Sequence, residues 1–259
     1  MKAMRIVSIL VTASLAIPPV ALAQQAVARD PQAFLLAARS VAAMGGSVPS
    51  SSVATGTVQL VEGSLEDSGT VRILTRSSDE TREEFQTSRG LKGRIFAQGL
   101  AAGLSDTGNE EASLELAATS QSPCFPLVIL ASAVNNPDFA FEYVGDEKLD
   151  DGSLAYHIRF WNTFTSQPKL QSLAEFSVKD LWIDAISGLP RKLAYEEREA
   201  GGDAPRIAVG AVYSDWRNVG GTLYPFLIER IFNGTPWATI RINNVTLNAS
   251  LSDADFAVE

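Results

Sequence analysis

Few side chains here suit nucleophilic or metal chemistry, and two of those types occur once each: His157 and Cys124. A Ser-His-Asp triad would have to use His157, and no Gly-x-Ser-x-Gly elbow occurs for it to serve. In the run Ala155 to Trp161, Tyr156, Ile158 and Phe160 alternate with His157, Arg159 and Trp161. His157 therefore shares a sheet face with Arg159 and reads as a cross-strand polar partner, not a general base. A single histidine excludes a His-rich metal site. A single cysteine excludes an intramolecular disulfide and a cysteine-based zinc site. Cys124 lies in the apolar run "SPCFPLVIL", where a buried, inert thiol is the expected outcome.

Carboxylates are plentiful but scattered. Asp184, Glu196, Asp215 and Glu229 fall on neighbouring predicted strands, where a facing pair would have the geometry of a glycosidase. Glu196, Glu197 and Glu199 read more simply as a solvated face near a strand end. Neither a phosphate-binding loop nor a dinucleotide fingerprint is present. The residues thus point away from an enzyme, and no cofactor or metal is expected. A hydrolase built on a carboxylate pair ranks third among the readings.

The more frequent pattern is apolar. Ile207, Val209, Ala211 and Tyr213 share one face of their strand, and Tyr224, Phe226, Ile228 and Phe232 one face of the next. Ala238, Ile240 and Ile242 repeat the alternation, and Phe125 and Leu127 to Leu130 add an apolar helical segment. Any one of these residues is accounted for by core packing. Together they imply more concave sheet area than two short helices fill, and the remainder is an apolar cleft. Pro123 and Pro126 in the helical segment fit a movable lid and fit a rigid bend equally.

The elements that position these residues follow from the period. Residues 30–44 predict an amphipathic helix, with Asp30 as N-cap, Pro31 in the first turn and Gly45-Gly46 as the stop. Phe34, Leu35, Ala38, Val41 and Ala42 form its expected apolar face. From residue 54 the period changes to two, and short alternating runs separated by Gly, Ser and Asp turns predict strands. Residues 100–112 read as loop, and residues 113–134 as a second helical region broken by Pro123 and Pro126. About ten or eleven strands result, in an α+β arrangement: one strongly curved antiparallel sheet with helices on its concave side. No linker divides residues 24–259, which are expected to form one domain.

Residues 1–23 read as a secretory signal peptide. Lys2 and Arg5 precede an apolar run from Ile6 to Ile17, and Ala21-Leu22-Ala23 supplies a cleavage site near Ala23. The expected destination is the periplasm or the cell exterior. The net charge of −9 becomes −11 once the two bases of that segment are removed. With no basic cluster, nucleic acid is a poor partner.

Three stretches, taken in order, resemble a known family. "DLWIDAISGLPRKL", "VYSDWRNVGGTLYPFLI" and "ATIRINNVTLNASLSDADF" are similar to successive strand and corner motifs of the outer-membrane lipoprotein carrier and sorting proteins, the LolA/LolB-like half-barrels. The resemblance implies an open antiparallel half-barrel of about eleven strands, with an N-terminal helix and a broken apolar helix on its concave side. It further implies an interior that accepts acyl chains or lipidated proteins. The walls expected to meet such a ligand are Leu127, Leu130, Trp182, Tyr195, Tyr213, Phe226 and Trp237. Some carriers use an interior arginine, for which Arg72 in "TVRILTR" is the nearest match. The leading reading is a non-catalytic periplasmic protein that binds a lipid, a lipoprotein acyl chain or another apolar ligand. The alternative is an envelope sensor or interaction module with a packed interior, meeting another envelope protein through the hairpin at Arg89 to Arg94 or through the lid.

Overall fold

Asp30 sets the first helix, α1 (Pro31–Ala43): its carboxylate accepts from the Ala33 amide at 2.9 Å, and Pro31 occupies the first turn. The computed structural model describes residues 27–77, 79–97, 99–111, 123–198 and 206–257. The expected signal peptide and the first half of the broken helix lie outside those residues. The buried stripe of α1 is Ala33, Leu36, Ala37 and Ser40, while Leu35 is half exposed. This corrects the expected face, of which Phe34 and Val41 pack only along its margin. Small residues bring the helix backbone close to its neighbours, and that packing leaves almost no hydrophobic signal in the sequence. The helix ends at Gly45, at φ +116°, where a Cβ would stand 2.6 Å from the Gly221 carbonyl oxygen.

All the strands pair antiparallel in one sheet. The first meander is β1 (Ser51–Glu62), β2 (Leu65–Arg76), β3 (Glu80–Thr87), β4 (Gly90–Ala97), β5 (Leu100–Ser105) and β6 (Gly108–Glu111). The helix α2 (Pro126–Asn135) separates it from the second. That meander runs β7 (Phe139–Lys148), β8 (Leu154–Asn162), β9 (Lys179–Asp184), β10 (Pro190–Arg198), β11 (Arg206–Val219), β12 (Thr222–Phe232) and β13 (Thr235–Leu247). The spatial order β6-β5-β4-β3-β2-β1-β13-β12-β11-β10-β9-β8-β7 joins the two through β1 and β13. Hairpin chemistry explains the rest: at the β12–β13 turn Asn233 and Gly234 both take positive φ, +48° and +78°, as a tight two-residue hairpin turn requires.

Among the described residues the sheet has thirteen strands, against the ten or eleven expected. β5 and β6 form a hairpin where residues 100–112 were expected to be loop, because Ala101, Ala102 and Gly103 give no apolar alternation to detect. A 3₁₀ helix also spans Pro168–Phe176, in place of an irregular loop.

Helices α1 and α2 pack on one face of the sheet, the inner face of an open half-barrel. The main core forms there, from Leu36, Val58, Ile73, Leu127, Leu130, Ile158, Leu181, Tyr213, Ile228 and Ile240 among others. The outer face of β1–β5 carries a smaller core. The C-terminal 3₁₀ turn, Asp253–Phe256, inserts Phe256 among Leu74, Ile95, Ala97 and Leu104, with Arg76 over its ring at 5.0 Å. Among the described residues no helix is long and apolar enough to cross a membrane.

Candidate functional site

Period two places three charged side chains on the inner face, among apolar neighbours. In β3, Thr81, Glu83 and Phe85 turn inward together. In β4, Arg94 lies directly across from Glu83. In β12, Tyr224, Phe226, Ile228 and Arg230 point the same way. Arg230 is flanked by Ala211 on β11 and Ala238 on β13, and these small neighbours leave room for its guanidinium. That group reaches across the half-barrel to β3.

There Arg230 Nη1 donates to the Glu83 carboxylate at 3.3 and 3.5 Å, and neither side chain is exposed. The Cys124 thiol donates to Glu83 Oε1 at 3.1 Å, which ties the residues just before α2 to the same carboxylate. Arg94 Nε lies 3.6 Å from Glu83, and its Nη1 donates to Glu197 on β10 at 2.8 Å. Tyr195 donates its hydroxyl to the same Glu197 oxygen at 3.3 Å. Two arginines and two glutamates thus compensate one another, the Arg230–Glu83 pair fully out of water, where a lone ion would be very costly, and the Arg94–Glu197 pair at its partly exposed margin. Burial pushes the hydroxyls of Tyr195 and Tyr213 above the ordinary tyrosine range, so both stay protonated donors.

Tyr213 uses that proton structurally: its hydroxyl donates to the Pro123 carbonyl at 2.6 Å, anchoring the entry to α2. Tyr213→Phe is expected to cost about 1–2 kcal/mol, because it strands a buried carbonyl. Denaturant unfolding of the two proteins measures the difference.

Lys179 is the odd member of this face. It is 3% exposed, and no carboxylate among the described residues pairs with it. Its ammonium lies over the Tyr195 ring, 5.8 Å from the centroid. Burial alone brings its pKa down to about 8.

A cavity of about 440 Å³ opens beside Arg230. Val61, Val209, Phe232, Pro236 and Trp237 supply its apolar wall, and Arg94 and Arg230 its polar one. Trp237 sits edge-on to Phe85 at 6.0 Å, with the Arg230 guanidinium over its ring at 5.8 Å. A larger depression of about 750 Å³ involves Arg159, Asp180, Glu196 and Arg206. Within it Arg159 pairs with Asp180 at 3.1 Å and Arg206 with Glu196 at 2.9 Å.

Six of the seven expected wall residues turn inward. Leu127, Leu130, Tyr213 and Phe226 are in the main core, Tyr195 lies beside Lys179, and Trp237 lines the cavity. Trp182 is on the outer face, stacked on His157 at 4.2 Å with Lys192 over its ring at 4.5 Å. His157 is the cross-strand polar partner expected of it, bonded to Asp180 at 2.8 Å. Arg72 is not interior. Its side chain is 44% exposed and faces Glu84 at 3.5 Å, whereas Arg230, fully buried, and Arg94 are the arginines described on the inner face. The scattered carboxylates have separate duties. Asp184 accepts from Ile186 and Ser187 in its own turn, and Asp215 pairs with Arg217 at 2.6 Å. In the hairpin at Arg89 to Arg94, Arg89 and Lys92 pair with Glu62 at the rim, and Arg94 reaches deeper, to Glu197 and Glu83.

The inner charges Glu83, Arg94 and Arg230 are the residues that sequence reasoning passed over. Their signal was parity, since Glu83 shares a face with Phe85, and Arg230 with Tyr224, Phe226 and Ile228.

No family model and no curated sequence relative matches the chain. Solved structures do. An outer membrane lipoprotein-sorting protein domain from Vibrio parahaemolyticus superposes with a TM-score of 0.56 at 9% identity, covering 87% of this chain and 96% of that one. A LolA superfamily protein from Nitrosomonas europaea gives 0.54 at 11% identity, covering 87% and 97%.

Proposed function

We propose that this chain, whose fold is that of the LolA/LolB-like half-barrels, is an exported, non-catalytic protein that holds an acyl chain or similar apolar ligand on its inner face. The carrying observation is the cavity beside Arg230, where the exposed apolar side chains Val61 and Phe232 lead inward to Trp237. Each methylene moved from water onto that wall contributes about 0.8 kcal/mol, so a chain of ordinary length binds without any chemistry being done on it. α2 brings Leu127 and Leu130 onto the inner face and so covers the deeper sheet residues Tyr213 and Phe226. A ligand longer than the cavity reaches them by displacing α2, whose entry is held by the Tyr213 and Cys124 hydrogen bonds.

The filled interior is also the one observation that favours the second reading, an envelope interaction module. The two separate on purified material. Native mass spectrometry of the full exported protein is expected to show added masses of amphiphile size, which organic extraction removes. A single apo mass in every preparation, together with no binding of added lipid, would remove the carrier reading.

A further inference from the structure

Arg230 carries five N–H bonds and uses only those on Nη1 toward Glu83. Its Nε and Nη2 are buried and have no hydrogen-bond partner, and neither has the Trp237 indole Nε1. Both residues line the cavity. A charged donor left unmet out of water is among the less tolerable features of a folded protein, and native structures supply it with an acceptor. The unmet groups here are all donors, so their complement is a group of acceptor oxygens.

We infer that the cavity between β12, β13 and β4 is the head-group site of an anionic amphiphile: a carboxylate or phosphate on Arg230 Nε and Nη2 and on Trp237 Nε1, with its acyl chain against Val61, Val209, Phe232 and Pro236. The inference rests on the apolar-ligand reading above and names the ligand's chemical class. The charge balance of the face supports an anion over a neutral head. Arg94 and Arg230 are matched by Glu83 and Glu197, and Lys179, across β10 from Val209, adds an unmatched positive charge. Glu62, also on the cavity rim, is occupied by Lys92 at 2.6 Å and Arg89 at 3.4 Å. Arg89 is shared with Asp67 at 3.7 Å, so these two cations offset the two carboxylates. A planar guanidinium offering Nε–H and Nη2–H side by side matches two oxygens of one carboxylate or phosphate.

The test uses three probes with one tail: dodecanoate, dodecyl phosphate and dodecanol, titrated calorimetrically into the delipidated full chain. At least one acid is expected to bind roughly tenfold or more tightly than the alcohol, and the tighter acid identifies the head. Trp237→Phe removes the indole N–H together with part of the apolar wall, so it should weaken all three probes and lower acid binding several-fold more than dodecanol binding. The double variant Glu83→Gln/Arg230→Met removes the buried pair together and should bring both acids to the level of the alcohol. Equal affinity for acids and alcohol in the parent protein overturns the head-group site and leaves the apolar-ligand reading standing. Failure of all three probes to bind overturns both.

Discussion

Replacing Lys179 with methionine is expected to stabilise the protein at neutral pH by up to about 3 kcal/mol, the free energy that corresponds to its pKa shift. The amine titrates near 8 in the folded chain, against an ordinary value of 10.5, because burial disfavours its charge. Between those two values the unfolded chain holds the proton more tightly, so the contribution of Lys179 makes stability rise with pH across that window. Below about pH 8 the folded protein bears the full penalty of a buried ammonium, and above about 10.5 none of it. The Lys179→Met variant lacks this dependence. Denaturant unfolding of both proteins from pH 7 to 11 should show a gap that is widest at the acid end and closes toward the alkaline end. A constant gap would mean that Lys179 is not buried as a charge. Such a residue is expensive to keep, which fits a site that gains something else from a positive charge on its inner face.

The second large effect concerns Arg230. Arg230→Met alone should cost about 3–5 kcal/mol, because it leaves Glu83 buried with the Arg230 half of its compensation gone. Glu83→Gln/Arg230→Met should recover much of that loss, since Arg94 keeps Glu197 at 2.8 Å and no uncompensated ion remains. The double-mutant cycle therefore predicts a strongly favourable coupling between two residues 147 positions apart in the chain. Additive single effects would show that the pair is not a unit. This result is separable from ligand binding. A buried ion pair is by itself weak evidence of stability gained.

The strands of the second meander were legible from the sequence because each buries one face. In β12 the alternation of Tyr224, Phe226 and Ile228 fixes which way every neighbour points. The same alternation placed Arg230 inside, and only the habit of reading arginine as surface obscured it. Glu83 was readable in the same way beside Phe85. Other features left no local trace. The pairing of β1 with β13 joins the two meanders at the middle of the sheet and is set by tertiary structure, with its register broken at Thr55 and Gly56. The centre of β5 is Ala101, Ala102 and Gly103, and β6 is short and polar, so neither strand announces a face. The stripe of α1 failed for a similar reason, since Ala33, Ala37 and Ser40 are chosen for closeness and not for hydrophobicity. Trp182 shows the reverse error: a large aromatic in an apolar run, placed on the outer face by simple parity and held there by His157, Lys192 and Glu147.

The most direct measurement uses Trp237 as a reporter. The chain has four tryptophans, and replacing Trp161, Trp182 and Trp216 with phenylalanine leaves one indole, on the wall of the cavity. Titration of that variant with a dodecanoate brominated along its chain should quench Trp237 emission in a saturable manner, and unbrominated dodecanoate should reverse the quenching by competition. Emission that stays unchanged at brominated-acid concentrations where calorimetry detects binding would place the ligand elsewhere and contradict the account.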